Sequence, residues 1–180
     1  MALDYTRPMH RDPDAKAEGG AEPFDVVELT EDDKGWVQRT LKAYWASTVQ
    51  VSRGRTIQAD ELPGFKALYG GDTVGLLTYR VEDGACEIVT HNALAGHGGI
   101  GSCLLNAVRQ KARTLNCSRL WCITTNDNTP AMRFYQRRDF NIVALHRDAV
   151  IEARRLKPEI PDVGLDGIRI RHEIEMEYLL

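Results

Sequence analysis

The sequence has no apolar run approaching the roughly 20 residues needed to span a bilayer, and it has no block of lysine and arginine. Its formal net charge of -3 gives no electrostatic reason to bind nucleic acid. The N-terminal residues, 1–23, lack the apolar segment of a secretory signal peptide. We therefore expect a cytoplasmic protein that binds neither nucleic acid nor membranes.

Cysteines are few and do not have metal-ligand spacing. The four of them, Cys86, Cys103, Cys117 and Cys122, lie in apolar stretches, and no Cys-x-x-Cys pair occurs. A reduced cysteine in such a stretch acts as a small core residue more often than as a metal ligand or a redox thiol. We therefore expect no bound metal.

Length and composition predict a single domain. The chain has 180 residues, 43% of them hydrophobic and 27% charged, so it is long enough to bury one core. Residues 1–22 contain prolines, glycines and scattered charges without an apolar period, and we expect them to form a mobile tail. The domain is then expected to span residues 23–180.

Hydrophobic periodicity predicts an α/β fold with a mixed, mostly antiparallel central sheet flanked by helices. A strand at 24–29 precedes a helix that Thr30 caps. The side chains expected to form the buried stripe of this helix are Val37, Leu41, Tyr44, Trp45 and Thr48. The pattern over 50–67 is weak. Three strands follow, separated by glycine-containing turns typical of antiparallel hairpins, at 65–69, 73–81 and 85–90.

The second half of the chain predicts a parallel crossover. A helix from Ile100 leads to a strand at 118–124, and a strand–helix–strand unit of this length is right-handed. The next helix begins at Pro130, which fits a first helical turn. The remaining predicted elements are a strand at 140–145, a helix at 149–156 and a strand at 173–180. Because the last strand is rich in apolar residues, it suggests pairing with a second copy in a homodimer.

A glycine cluster, Gly96-His97-Gly98-Gly99-Ile100-Gly101-Ser102, separates the strand at 85–90 from the helix that follows. Glycine permits positive φ angles and lets a ligand approach the main chain, because no Cβ intervenes. A strand, a glycine loop and a helix leave backbone N–H groups free at the helix N-terminus, where the dipole favours an anion. The sequence therefore predicts a site for the phosphate or pyrophosphate of a cofactor.

Two common phosphate-binding fingerprints fit this cluster poorly. Gly96, Gly98 and Gly101 have the Gly-x-Gly-x-x-Gly spacing of dinucleotide-binding proteins. That fingerprint expects an acidic residue near the end of the next strand, and Asp127 lies beyond it in a loop. It also belongs to a parallel sheet, whereas hairpins precede the cluster here. A Walker-type loop fails because no Lys-Ser or Lys-Thr follows the glycines.

A second frame of the same loop resembles the GNAT family of N-acetyltransferases. The segment Gly99-Ile100-Gly101-Ser102-Cys103-Leu104-Leu105 is similar to that family's pyrophosphate-binding signature, and residues 128–140 resemble its second motif. The resemblance covers roughly residues 24–180. Two positions depart from the pattern: Gly96 replaces an Arg or Gln, and Asp139 replaces a glycine. Aspartate tolerates left-handed φ better than most residues, so the turn before Phe140 is expected to survive.

The resemblance implies a GNAT-type fold and an acetyl-CoA-dependent N-acetyltransferase. The acceptor would be a primary amine of a small molecule or peptide that attacks the thioester directly, with Trp45, Asp60 and Glu61 in the region of the acceptor wall. The residues that the resemblance assigns to the cofactor are Ala93, Leu94, His97, Gly98, Gly99, Ile100, Gly101, Ser102, Asn126, Asn128 and Tyr135. Asn128 is equally suited to cap the next helix.

Two catalytic residues are implied in the same way. Tyr135 matches the family tyrosine that faces the thioester sulfur and acts as general acid, although it also fits as a core aromatic beside Phe134. Glu87 lies on the strand where this family often keeps a carboxylate base, although simple alternation would point it to solvent. His91 is the second candidate base.

Two functions of other classes are the alternatives. One is a non-catalytic acyl-CoA-binding module that keeps the cofactor cleft but lacks a base. The other is an NAD-binding enzyme that uses the dinucleotide spacing of the glycines.

Overall fold

The fold is described from a computed structural model that covers residues 24–96 and 98–180. The strands are β1 (Asp25–Glu28), β2 (Val49–Ser52), β3 (Arg55–Gln58), β4 (Gly64–Tyr69), β5 (Asp72–Glu82), β6 (Ala85–Ala93), β7 (Arg119–Thr125), β8 (Asn141–His146) and β9 (Glu173–Leu179). The helices are α1 (Lys34–Trp45), α2 (Ile100–Thr114), α3 (Thr129–Gln136) and α4 (Ala149–Leu156). Among these described helices, none has both the length and the apolar character that a membrane crossing requires.

Seven strands form one sheet in the order β1-β4-β5-β6-β7-β9-β8. Strands β6 and β7 run parallel, with α2 between them, whereas the other neighbouring pairs are antiparallel. The predicted mixed, mostly antiparallel sheet and its crossover are therefore confirmed. The crossover also places the glycine loop at the C-terminal end of β6.

Helix α2 packs against β5 closely. Its buried side chains are Ile100, Leu104, Leu105, Val108 and Ala112, and they join the larger of the two apolar clusters. A Cβ on Gly75 of β5 would lie 2.6 Å from Ile100 Cγ2 and 2.9 Å from Leu104 Cδ1, so only a glycine allows this approach. Burying each such Leu or Ile side chain contributes about 1.5–3 kcal/mol, which fixes where the helix begins relative to the sheet.

Helix α1 covers the opposite face of the sheet. The backbone N–H and the hydroxyl of Thr30 both donate to Asp33 Oδ2, at 2.9 and 3.1 Å, so Thr30 caps the 3₁₀ turn Glu31–Asp33 that leads into α1. Val37 and Leu41 are buried as predicted. Tyr44 was expected in the same stripe, but this prediction is wrong: its side chain is 42% exposed.

The structure defines the segment over 50–67 and corrects one further expectation. The weak pattern over 50–67 contains a two-stranded hairpin, β2–β3, that pairs with itself and not with the main sheet. Strand β9 lies between β7 and β8, so both of its edges are occupied and it offers no free edge to a second copy. The interpretation of β9 as a dimer strand is therefore wrong. The predicted tail, residues 1–22, lies outside the described residues.

Candidate functional site

A gap opens in the middle of the sheet where β6 and β7 separate. The two strands pair only from Ala85 with Arg119 to Ile88 with Cys122. Along β5, Thr78 opposes Thr90 and Tyr79 opposes Ile88, which leaves Val89 as the extra residue of a β-bulge. A bulge bends its strand and increases the local twist. The C-terminal half of β6 therefore turns away from β7 and lines the gap.

Backbone groups of β6 point into this gap. The N–H of Leu94 donates to Val74 O of β5 at 2.8 Å. Successive residues of a strand direct their backbone groups to opposite edges. The N–H and C=O groups of Ala93 and His91 therefore face the gap. Of the two predicted cofactor residues, Ala93 can offer its amide to a ligand in the gap, whereas the Leu94 amide is already used within the sheet.

The N-terminus of α2 lies at the mouth of the gap. Gly99 has a φ of +97°, which glycine adopts without strain. The bond from Cys103 N–H to Gly99 O, 3.0 Å, is the first of the helix, so the amides of Ile100, Gly101 and Ser102 have no partner within it. These are the donors that the sequence predicted.

The structure describes one of the two other predicted loop residues. Gly98 is exposed in the turn before α2. His97 was also predicted to contact the cofactor, and it lies outside the described residues.

Arg138 adds a positive charge beside these amides. Its Nη2 and Nε donate to Ser102 Oγ, at 2.6 and 3.2 Å, and its guanidinium carbon lies 3.8 Å from the centroid of the Phe134 ring. Arg138 is not among the predicted cofactor residues. It lies inside the second motif, at 128–140, and its pairing with the adjacent Arg137 is the signal that could have suggested it.

Tyr135 reaches the gap from the side of α2 and α3. Its hydroxyl lies 3.0 Å from His91 Nδ1 of β6, and it also hydrogen-bonds with the Cys122 thiol of β7. His91 Nε2 lies 3.1 Å from Gly101 O, which can only accept, so this nitrogen carries the proton. Nδ1 of a neutral His91 is then an acceptor, and the Tyr135 O–H donates to it.

Burial sets the protonation states of this pair. Desolvation lowers the pKa of His91 to about 4, although its hydrogen bond to Gly101 opposes the shift. Desolvation also raises the pKa of Tyr135 well above its usual value, with the Cys122 thiol adding to the shift. At neutral pH His91 is therefore uncharged and Tyr135 keeps its proton, so Tyr135 can act as an acid and not as a base.

Glu87 approaches the gap from the opposite face. Cys86 and Ile88 point into the core beneath α2, so Glu87 between them points to the α1 side. The Glu87 side chain is buried, and its surroundings are polar. Its Oε1 accepts from the Ser52 hydroxyl at 2.9 Å, and its Oε2 accepts from Arg80 Nε at 2.6 Å. A carboxylate accepts about four hydrogen bonds, so two positions remain for a substrate or a water.

The predicted asparagines serve the protein itself. Asn126 Oδ1 accepts from the backbone N–H groups of Arg171 and His172, and its Nδ2 donates to Arg169 O. This side chain therefore holds the segment before β9, and its contact with the cofactor stays a prediction. Asn128 Oδ1 accepts from Ala131 N–H at 3.1 Å and so caps α3, as the alternative interpretation expected.

Asp127 is unsuitable as the ribose ligand of a dinucleotide site. Its carboxylate accepts from the Thr125 hydroxyl and from the backbone N–H of Leu165. A Cβ on Gly164 would lie 1.9 Å from its Oδ2, so the main chain closes over it. The NAD-binding alternative therefore lacks the acidic residue that its fingerprint requires.

The remaining predicted positions are Asp139, Trp45 and Asp60. Asp139, in place of the motif glycine, has a φ of +65°, so it does adopt the left-handed conformation. Trp45 Nε1 donates to Asn92 Oδ1 at 2.9 Å, which brings the end of α1 to the C-terminal half of β6. Asp60 accepts from Gln38 Nε2 at 2.8 Å and so binds α1.

The chain is similar to proteins of one known family. The model of the acetyltransferase (GNAT) family matches residues 26–140. The uncharacterized protein YdhI of Bacillus subtilis (strain 168) is 41% identical over 132 residues, which cover 73% of this chain and 82% of that protein.

Solved structures share the fold at low sequence identity. An IAA acetyltransferase from Bacillus cereus ATCC 14579 matches with a TM-score of 0.67 at 19% identity, over 88% of this chain and 100% of that one. A GNAT family acetyltransferase from Elizabethkingia anophelis, solved with acetyl-CoA bound, matches with a TM-score of 0.62 at 18% identity, over 89% of this chain and 100% of that one.

Proposed function

The chain belongs to the acetyltransferase (GNAT) family, and from this premise we propose that it transfers the acetyl group of acetyl-CoA to a primary amine by direct attack. One observation carries the proposal. Three features lie one after another along a single path: the amides at the start of α2 that have no partner within the helix, the gap between β6 and β7, and the protonated Tyr135. That path suits a ligand with a diphosphate at one end and a reactive thioester at the other.

The residues at the mouth of the gap fit coenzyme A. The amides of Ile100, Gly101 and Ser102 and the dipole of α2 favour the diphosphate. Arg138, held beside Ser102, adds a full positive charge. Further into the gap, the backbone of Ala93 offers hydrogen bonds to the amides of the pantetheine arm.

Two side chains on opposite faces of the sheet would share the proton transfers. Acetyl-CoA, when bound, supplies an activated acyl group and a thiolate leaving group. A primary amine is protonated near neutral pH, and Glu87 accepts its proton through a free carboxylate position, directly or through one water. Tyr135 turns its O–H from His91 to the departing sulfur. As the amide forms, the nitrogen loses a second proton, which returns to Tyr135 after that side chain has given its own proton to the sulfur. Formation of the N–C bond and cleavage of the C–S bond then leave no net charge in the gap.

The test is the release of CoA from acetyl-CoA with a panel of primary amines. General acid catalysis contributes about 10²–10⁴-fold, so Tyr135→Phe should lower kcat by about that factor while acetyl-CoA still binds. Glu87→Gln should lower the rate with amines that are protonated. This reduction of the rate, relative to the wild type, should become smaller as the pH rises. Tyr44→Phe is the matched control, because Tyr44 is 42% exposed on α1, and it should keep the wild-type rate.

Two results would contradict this assignment. Tight binding of acetyl-CoA without turnover of any amine would favour the non-catalytic acyl-CoA-binding module. An unchanged kcat in Tyr135→Phe would remove Tyr135 as the acid, since the removed hydroxyl is the only group that this substitution changes.

A further inference from the structure

A cavity of about 260 Å³ lies on the face of the sheet that carries Glu87. It extends over the paired half of β6 and β7, away from the start of α2, and the tip of the β2–β3 hairpin borders it. Its charged lining residues are four arginines and three acids, with one tryptophan beside them: Arg53, Arg55, Arg80, Arg119, Glu82, Asp83, Glu87 and Trp121. Since drug-sized ligands occupy pockets of about 300–1,000 Å³, this volume suits a small molecule better than a peptide.

Positive charge concentrates at the hairpin side of the cavity. The hairpin turns at Arg53-Gly54, with φ angles of +51° and +73°, so that Arg53 and Arg55 both line the cavity. Arg55 pairs with Glu82 at 2.9 Å. Arg53 has a longer ion pair, 3.9 Å to Glu175, and its side chain is 46% exposed. The Arg53 guanidinium therefore keeps donors directed to the open cavity.

Trp121, Arg119 and Arg80 form the floor of the cavity, and contacts with neighbouring side chains hold them in place. Arg119 lies 5.1 Å and Arg53 5.8 Å from the centroid of the Trp121 ring. Arg119 also pairs with Glu177 at 2.6 Å, and Arg80 with Glu87 at 2.6 Å. These pairs hold the inner side chains in place. Trp121 lies directly beside Glu87 in the register of β6 and β7, so the floor leads to the proposed proton acceptor.

We propose that this cavity binds the acceptor and that the acceptor is a small amine carrying a carboxylate, an inference that rests on the function proposed above. Its amino group lies at Glu87 and its carboxylate at Arg53, because a guanidinium binds a carboxylate through two parallel hydrogen bonds. Glu87 and Arg53 both line the cavity, and their opposite charges match the ammonium and carboxylate groups of an amino acid. Acetylation forms the N–C bond and breaks the C–S bond. One amine proton passes to Glu87, and the second passes by way of Tyr135 to the sulfur of the departing CoA.

The test compares acceptors that differ in one group. Rates of CoA release are measured with 4-aminobutanoate, its methyl ester, butylamine and 3-aminopropylphosphonate. A hydrogen bond to a charged group changes an equilibrium or rate constant by about 10–100-fold. The kcat/KM for 4-aminobutanoate should therefore exceed that for butylamine and for the ester by at least tenfold. In Arg53→Gln this ratio should fall by about tenfold. Arg53→Glu should instead favour 1,4-diaminobutane.

Arg147→Gln is the matched control, because Arg147 lies outside the cavity with a side chain that is 83% exposed, and it should keep the wild-type ratio. Equal kcat/KM for 4-aminobutanoate and butylamine would overturn the proposal while leaving N-acetyltransfer intact. A preference for the phosphonate would overturn the carboxylate assignment. A complete absence of turnover with all acceptors would instead overturn the proposed function on which the inference rests.

Discussion

His91 shows how two neighbours and burial determine the state of a side chain. The folded protein holds its pKa at about 4, against about 6.5 in an unfolded chain. Because the unfolded state binds the proton more readily, the stability that neutral His91 allows is present above pH 6.5 and is lost as the pH falls towards 4. Between pH 7 and pH 5 we expect the free energy of unfolding to fall by about 2 kcal/mol from this residue alone.

Urea unfolding of the wild type and of His91→Gln at both pH values measures this contribution. Glutamine can donate to Gly101 O and accept from Tyr135, but it does not titrate. The variant should therefore lose about 2 kcal/mol less than the wild type on acidification. Equal losses in the two proteins would show that His91 is not held neutral by its surroundings.

The close contact between α2 and β5 depends on the absence of a Cβ at Gly75. Gly75→Ala would place a Cβ 2.6 Å from Ile100 Cγ2, and overpacking of this kind costs about 1–3 kcal/mol. Since Ile100 is the first residue of α2, we also expect weaker binding of acetyl-CoA. Denaturant titration and calorimetry measure the two effects.

Gly96→Ala is the control for this substitution. Gly96 is exposed, and no described atom lies within 4 Å of a Cβ placed there. The free energy of unfolding of Gly96→Ala should therefore stay within about 0.5 kcal/mol of the wild type. If Gly75→Ala is as stable as Gly96→Ala and binds acetyl-CoA normally, the close packing of α2 on β5 does not fix the helix N-terminus.

At the level of elements, periodicity and turn residues predicted most of this fold. The hairpin turn at Asp83-Gly84 and the stripe from Ile100 to Ala112 are local signals, and both elements are present. The β2–β3 hairpin escaped prediction because its strands have only four residues each and contain polar side chains. Gln50 and Ser52 of this hairpin are buried by distant partners, Lys157 and Glu87, which no local pattern contains.

Across the whole molecule, the candidate site combines groups that lie far apart in the sequence. The motifs predicted the loop at 99–102 and Tyr135. They did not predict that Tyr135 meets His91, 44 positions earlier, or that Arg53 faces Trp121, because both contacts depend on how β6 and β7 separate and on where the hairpin folds. Nor did the motifs predict the partners of Asn126 within the protein, since these follow it by more than 40 residues.

Ligand binding is the expected property of the whole fold. A ligand that binds only the native state at 100 times its Kd stabilises it by about 2.7 kcal/mol. Acetyl-CoA should raise the Tm accordingly, whereas NAD should leave the Tm unchanged, because Asp127 is enclosed by Thr125 and Leu165. A larger shift with NAD than with acetyl-CoA would reverse the assignment of the glycine loop.

The most direct measurement compares 4′-phosphopantetheine with pantetheine, which differ in one phosphate alone, by titration calorimetry. If the amides of Ile100, Gly101 and Ser102 bind the diphosphate of CoA, at least two charge-assisted hydrogen bonds are lost with pantetheine, and its Kd should be about 100-fold higher. Equal Kd values for the two ligands, or no heat of binding with CoA, would contradict the account.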